Sequence, residues 1–201
     1  MNAASASVIP FVDESAMMHG YDWTGEFLHG WLLTEKFNGV RAYWDGKTMW
    51  TRGGKQVNLP EEWRVDLPEG FALDGEIWAG YEGDAFDSAS QAARFGRFSD
   101  RHVFKVFDAP EVRAPLNVRL EAARDRCLLA IAQVVDEVEL ISLQHLADAF
   151  ASVRNRGGEG LVLRDPVSPY TRGRTRAVLK FKRPQYEQLL AEFPHLAEHD
   201  R

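Results

Sequence analysis

Val40-Arg41-Ala42-Tyr43-Trp44-Asp45-Gly46-Lys47-Thr48-Met49-Trp50-Thr51-Arg52 reads as a β-hairpin. Strand-forming residues flank Asp45-Gly46, a pair suited to the positive φ angles of a type I′ turn. Outward from this hairpin, further strands are expected at Phe71–Trp78, His102–Phe107, Glu137–Ile141, Gly160–Arg164 and Ala177–Lys182. Helices are expected at Ser88–Arg94, Leu116–Val135 and Leu143–Arg154. The last carries Leu143, Leu146, Ala147, Phe150 and Val153 at helical spacing, and Gly157-Gly158 stops it. Pro184 can open a short final helix, because its missing N–H is not needed there. Residues 1–25 show no clear period, and the chain has no internal repeat. The pattern predicts an α+β fold with mostly antiparallel sheet.

At 201 residues, 45% apolar and with six tryptophans, the chain can bury a substantial core. One cysteine, Cys127, excludes an internal disulfide framework, and no Cys/His cluster has zinc-site spacing. A metal, if used, is expected to have oxygen ligands. The first thirty residues contain no Lys or Arg and no continuous apolar run, and no segment approaches the roughly 20 apolar residues that span a bilayer. A cytoplasmic protein with no membrane partner is the expectation.

The net charge of −6 argues against indiscriminate coating of nucleic acid. The charge is uneven, however. Between Arg164 and Arg183 stand Arg164, Arg172, Arg174, Arg176, Lys180, Lys182 and Arg183 against the single acid Asp165, a segment suited to meeting an anion.

In Ala177-Val178-Leu179-Lys180-Phe181-Lys182, alternation turns Leu179 and Phe181 to one side and Lys180 and Lys182 to the other. Two ammonium groups side by side suit a triphosphate, or else defend an edge strand. Leu73-Asp74-Gly75-Glu76 puts two carboxylates on one strand face, where ribose hydroxyls or a cation would relieve their repulsion. An Asp-Gly bend with a surface Glu is the alternative. Lys36, in Thr34-Glu35-Lys36-Phe37-Asn38-Gly39-Val40-Arg41, lies beside a glycine that permits close backbone approach. A lysine acts as a nucleophile only when deprotonated, which cationic neighbours or partial burial favour.

The order of these segments carries more than any one of them. Lys36-x-Asn38-Gly39-x-Arg41, Thr51-Arg52-Gly53, Leu73-Asp74-Gly75-Glu76, Phe104-Lys105-Val106-Phe107-Asp108, Glu159-Gly160-Leu161-Val162-Leu163-Arg164 and Leu179-Lys180-Phe181-Lys182 resemble, in sequence, motifs I, Ia, III, IIIa, IV and V of covalent nucleotidyltransferases. The resemblance spans Thr34 to Arg183 and is closest to small bacterial and phage ATP-dependent DNA ligases.

That resemblance implies two antiparallel β-sheets flanked by helices, with a nucleotide cleft between them. It implies ATP as substrate, Mg²⁺, and nicked double-stranded DNA as partner. Lys36 would attack the α-phosphate and carry AMP. Thr34 and the backbone near Glu35 would meet the adenine edge, Phe107 would stack on the base, and Arg41 and Glu76 would hold ribose hydroxyls. Lys180 and Lys182 would neutralise phosphate charge, Arg52 would read the phosphate at the nick, and Glu159 would position Mg²⁺. The implied organisation is an N-terminal segment over residues 1–30, a nucleotidyltransferase (adenylation) domain over 31–192 and a tail over 193–201.

Two departures accompany the resemblance. Asn38 stands where the family pattern usually has aspartate, which keeps an acceptor but loses the charge. Eighteen residues follow Arg183, too few for the OB-fold domain and motif VI of these ligases. The expectation is therefore a monomer lacking that domain or borrowing a separate OB-fold partner, with self-adenylation slower than sealing of a pre-adenylated nick. The alternatives are an RNA ligase, a guanylyltransferase of the mRNA-capping type, and a nucleotide- or nucleic-acid-binding module without turnover. His195 and His199 have a metal-capable spacing but no third ligand, and Trp31, Trp44, Trp50, Trp63 and Trp78 are assigned to packing.

Overall fold

The computed structural model describes residues 17–199. In chain order the strands are β1 (Met18–Asp22), β2 (Leu32–Lys36), β3 (Val40–Trp44), β4 (Met49–Thr51), β5 (Leu73–Trp78), β6 (Val103–Asp108), β7 (Ala132–Val134), β8 (Glu137–Glu139), β9 (Gly160–Arg164) and β10 (Gly173–Phe181). The helices are α1 (Glu61–Asp66), α2 (Ala85–Phe95), α3 (Leu116–Arg126), α4 (Leu143–Asn155) and α5 (Arg183–Glu192), followed by a 3₁₀ helix at Pro194–His199. One sheet has the order β1-β10-β9-β2-β8 and the other β4-β3-β5-β6-β7. The expected α+β architecture of two sheets with flanking helices is present.

Strand alternation separates core from cleft. In the first sheet Leu33, Leu161, Leu163, Leu179 and Phe181 pack with Leu146, Phe150 and Val153 of α4 and Leu189 of α5. In the second, Ala42, Leu73, Ile77, Phe104 and Val106 pack with Trp63, Ala89 and Ala123 of the three preceding helices. Full burial of a side chain such as Ile77 or Phe181 contributes about 1.5–3 kcal/mol. These inner residues fix the opposite face of every strand, so the remaining parity in both sheets is left to line the space between them.

The structure departs from the sequence expectations at several places. Asp45 does not take a positive φ, since among the described residues only glycines do, so the hairpin is not a type I′ turn. Instead the Asp45 carboxylate accepts from the backbone N–H of Lys47 (2.9 Å) and Thr48 (2.7 Å) and from the Trp50 indole (2.7 Å), closing a longer turn. Only Gly46 needs the left-handed region, at φ 93°.

The helix expected over Leu116–Val135 ends at Arg126, and its last part becomes β7, which pairs in parallel with β6. Two effects favour the strand. Ile131, Val134 and Val135 are β-branched, and the Asp66 carboxylate captures the backbone N–H groups of Ile131 and Ala132. The strand β1, in a stretch without legible period, lies parallel to β10. Both sheets are thus antiparallel except at one edge. Beyond residue 192, Leu196 is buried in the core of the first sheet. His195 meets the Phe193 ring, and the His199 side chain lies outside the described residues.

Candidate active site

The space between the sheets is a cleft of about 350 Å³. Thr34 and Lys36 enter it from β2, Val162 from β9, and Val178 and Lys180 from β10, with Lys182 one residue beyond. Facing them are Arg41 of β3, Asp74 and Glu76 of β5, and Phe107 of β6. Glu35, Phe37 and Arg52 complete the rim. Nine of the ten residues singled out by sequence therefore line one cavity. The tenth, Glu159, pairs with two of the lining residues, Lys36 and Lys182.

Lys36 ends β2 directly opposite Gly160, the first residue of β9, which brings the side chain of Glu159 alongside. The Lys36 amine forms an ion pair with Glu159 Oε2, and Lys182 Nζ lies 3.2 Å from Glu159 Oε1. Burial lowers the pKa of Lys180; Asp22 opposes the shift, while Lys182, Arg174 and Lys36 reinforce it. This side of the cleft thus gathers three amines, with Glu159 paired to two of them, an arrangement suited to receiving an anion. Of the seven-cation segment, only Arg164, Lys180 and Lys182 reach the cleft.

Opposite the amines, burial raises the Glu76 carboxyl to about 7; Lys36, Arg41 and the Gly39 N–H pull it down, and Asp74 pushes it up. Gly39 N–H donates to Glu76 Oε1 at 3.2 Å. Only glycine allows this, because a Cβ at position 39 would lie 2.2 Å from the Ile77 carbonyl oxygen. A carboxyl held near neutrality in a cleft can accept from hydroxyls of a ligand.

Asp74 is fully buried and serves Arg41. Arg41 Nε donates to Asp74 Oδ1 (3.0 Å) and Nη2 to Oδ2 (2.6 Å) and to the Met18 carbonyl (2.8 Å). The Tyr170 hydroxyl adds a 2.6 Å bond to Asp74 and in turn accepts from Met18 N–H at 3.0 Å. The guanidinium carbon of Arg41 sits 5.0 Å from the centre of the Phe107 ring, so these two side chains form one wall. Thr34 is buried, with its hydroxyl 3.4 Å from the Val162 carbonyl.

Several cleft residues escaped the sequence reading. Met18, His19 and Gly20 arrive on β1, which had no period to reveal it. Arg164 and Asp108 also line the cleft; both stood in recognised motifs but had no role assigned. They form its floor, joined to each other and to Arg119. Arg52 lines a second cavity too, of about 840 Å³, together with Lys55, Arg94, Phe86 and Phe95. The tryptophans pack as expected: Trp44 and Trp63 are core residues, and Trp78 meets Phe37 edge-on.

A cleft between two such sheets, with a lysine at the end of one strand facing paired lysines and an acidic strand, is the architecture of covalent nucleotidyltransferase domains. Comparison with known proteins narrows this. No family model matches the chain. A DNA ligase of Haemophilus influenzae is 31% identical over 189 residues, covering 91% of this chain and 69% of the relative. The chain belongs to the DNA ligase family.

Solved structures agree on the fold. A Lig E DNA ligase superposes with a TM-score of 0.75 at 23% identity, covering 83% of this chain and 68% of that one. Chlorella virus DNA ligase-adenylate gives 0.69 at 22% identity, with the same coverage of each chain. The ATP-dependent DNA ligase of bacteriophage T7, in complex with ATP, gives 0.62 at 16%, covering 84% and 68%. These relatives are DNA ligases, so the RNA-ligase, capping-enzyme and binding-module alternatives are not favoured.

Among the described residues, no helix is long and apolar enough to cross a membrane.

Proposed function

We propose that this DNA ligase adenylates itself on Lys36 with ATP and then seals nicked duplex DNA. The observation that carries this reading is the convergence of Lys36, Lys180, Lys182 and Glu76 on one cleft, with Glu159 paired to Lys36 and Lys182, from four segments of chain.

In the first step Lys36 Nζ attacks the α-phosphorus of ATP. The N–P bond forms, the bond to the pyrophosphate oxygen breaks, the amine proton is released, and AMP remains as a phosphoramidate. In the second, a 5′-phosphate oxygen at the nick attacks the same phosphorus and Lys36 leaves, regaining a proton. In the third, the 3′-hydroxyl attacks the 5′-phosphorus, loses its proton and expels AMP.

The protein's contribution is position and charge. Lys180 and Lys182 face the phosphates and offset negative charge as the phosphorus becomes five-coordinate. Phe107 offers a ring face to the base, with Arg41 against it. Thr34 and the Glu35 backbone meet the adenine edge. Glu76 accepts from ribose hydroxyls, and Arg41 braces that side of the site through Asp74. Arg52 stands where the nucleotide cleft joins the cavity carrying Lys55 and Arg94, which suits a phosphate at a nick approaching bound AMP from the duplex side.

Mg²⁺ fits this donor set in one way. Among the described residues no group of three or more acidic, His or Cys side chains is placed to hold a metal alone. Mg²⁺ characteristically takes one or two carboxylates plus substrate phosphates, and Glu159, beside Lys36 and Lys182, would supply the carboxylate. Bound there, the ion would neutralise phosphate charge. The protein would act as a monomer in the cytoplasm, with a separate OB-fold partner as a candidate to close around the duplex. The catalytic unit is that of residues 31–192, with β1 joined to it.

Incubation with ATP and Mg²⁺ followed by intact-mass measurement should show the gain of one AMP, absent in Lys36→Ala. Nicked DNA should then discharge the adduct and be sealed. An unmodified mass with active controls, or an adduct that survives Lys36→Ala, rejects the assignment.

A further inference from the structure

Lys36 is flanked by two residues that are both fastened to the end of β5 and the turn after it. On one side, the Glu35 carboxylate oxygen Oε2 accepts from Arg156 Nη2 at 2.7 Å and from the Tyr81 hydroxyl at 3.0 Å. Arg156 Nε donates to that same hydroxyl at 3.1 Å, so the three side chains close a triangle. On the other side, the Phe37 ring meets Trp78 edge-on at 5.3 Å, and Trp78 meets Tyr81 at 4.9 Å. The Lys105 ammonium covers both the Phe37 ring (5.3 Å) and the Trp78 ring (5.0 Å).

From this geometry we infer that Tyr81 and Arg156 are positioning residues for Lys36, a reading that rests on Lys36 being the nucleophile. The argument is mechanical. Lys36 is the last residue of β2, where the ladder that orders the strand runs out. Beyond that point the direction of its side chain depends on what restrains positions 35 and 37. Tyr81 and Trp78 belong to the second sheet and its following turn, Arg156 to the end of α4, and Glu35 to the first sheet. The triangle therefore ties the two walls of the cleft together beside the nucleophile.

The burial pattern shows which member depends on the others. The Glu35 side chain is 10% exposed, against 46% for Arg156, and its second oxygen has no hydrogen-bond partner. Loss of either donor leaves a buried carboxylate short of compensation one residue from the reacting amine. That carboxylate would turn toward water and take the backbone of Lys36 with it. In-line attack tolerates little displacement, since about 1 Å of misplacement can cost on the order of a hundredfold in rate. The third step of sealing does not use the Lys36 amine, so it is the step such a displacement should spare.

Tyr81→Phe, Arg156→Gln and Arg156→Lys should be made in the full chain. Single-turnover formation of the Lys36–AMP adduct, its half-saturating ATP concentration and sealing of a pre-adenylated nick are then compared. The expected result for Tyr81→Phe and Arg156→Gln is a rate of adduct formation about tenfold lower. Half-saturation and pre-adenylated sealing should stay within twofold, with partial recovery in Arg156→Lys. Tyr81→Phe keeps the ring against Trp78, so it decides the matter if Arg156→Gln does not fold. An adenylation rate reduced less than threefold, or an equal loss in both steps, overturns the inference. A normal adduct in the unaltered protein with no defect in Tyr81→Phe sinks the positioning role alone. No adduct in the unaltered protein sinks the parent reading and this one with it.

Discussion

Arg164, at the end of β9 in one sheet, donates to Asp108, at the end of β6 in the other, across 2.5 Å in the floor of the cleft. Arg119 of α3 grips the same carboxylate through Nε at 2.6 Å and Nη2 at 3.1 Å. All three side chains are buried, and Arg119 also donates to the carbonyls of Ala114 and Ser168. Burial lowers the pKa of Arg164, an effect that Asp108 opposes and Arg119 reinforces. Asp108 is thus the one carboxylate hydrogen-bonded to both guanidiniums.

Asp108→Asn should accordingly be among the most destabilising changes in the protein. It keeps the shape but leaves two buried cations uncompensated, for which a cost of about 3–5 kcal/mol is expected. Urea unfolding of the full chain measures it. A loss below about 1 kcal/mol would show that the floor is not held by this ion cluster.

Glu76 makes stability depend on pH in an unusual direction for a carboxylate. Its folded pKa of about 7 lies above the ordinary 4.5, so the native state holds a proton that the unfolded chain releases. Its contribution is fully present below about pH 4.5 and is lost as pH rises through 7. Relative to Glu76→Gln, the unaltered protein should therefore lose about 3 kcal/mol between pH 5 and pH 8 without nucleotide. Parallel unfolding curves for the two proteins across that range would contradict the burial argument.

Arg52→Ala should separate the chemical steps. Arg52 stands at the junction of the two cavities rather than among the amines around Lys36. Formation of the Lys36–AMP adduct should stay within about twofold, while AMP transfer to nicked DNA should fall by at least about tenfold, as expected for loss of one charge-assisted phosphate contact. Rapid-quench assays that follow each step can distinguish this from a defect in adduct formation, which would place Arg52 on the triphosphate instead.

Much of the site was readable because it is built on strands. Period-2 alternation alone put Lys180 and Lys182 opposite Leu179 and Phe181, and Asp74 with Glu76 opposite Leu73 and Ile77, as the structure has them. The Asp74–Glu76 pair was legible as a pair, but not the division of labour within it. Asp74 is consumed by Arg41 and Tyr170, and only Glu76 faces the cleft without a charged side-chain hydrogen bond among those described. The Asp45 turn was misjudged because a side chain took over the hydrogen bonds that a positive-φ turn would have made in the backbone.

By itself the sequence determined which face of the central strands β5 and β10 is apolar and which is charged, and the order in which the reactive segments follow one another. Those properties follow from side-chain chemistry and strand geometry, and both are local. Only the tertiary structure decided that Glu159 meets Lys36 across a sequence separation of 123, that Arg164 reaches Asp108, and that β1 and β7 add to the sheets in parallel. Backbone N–H and C=O groups are the same in every residue, so the pairing of an edge strand leaves little local mark. Which distant side chains share a buried charge is settled only when the whole core closes around them.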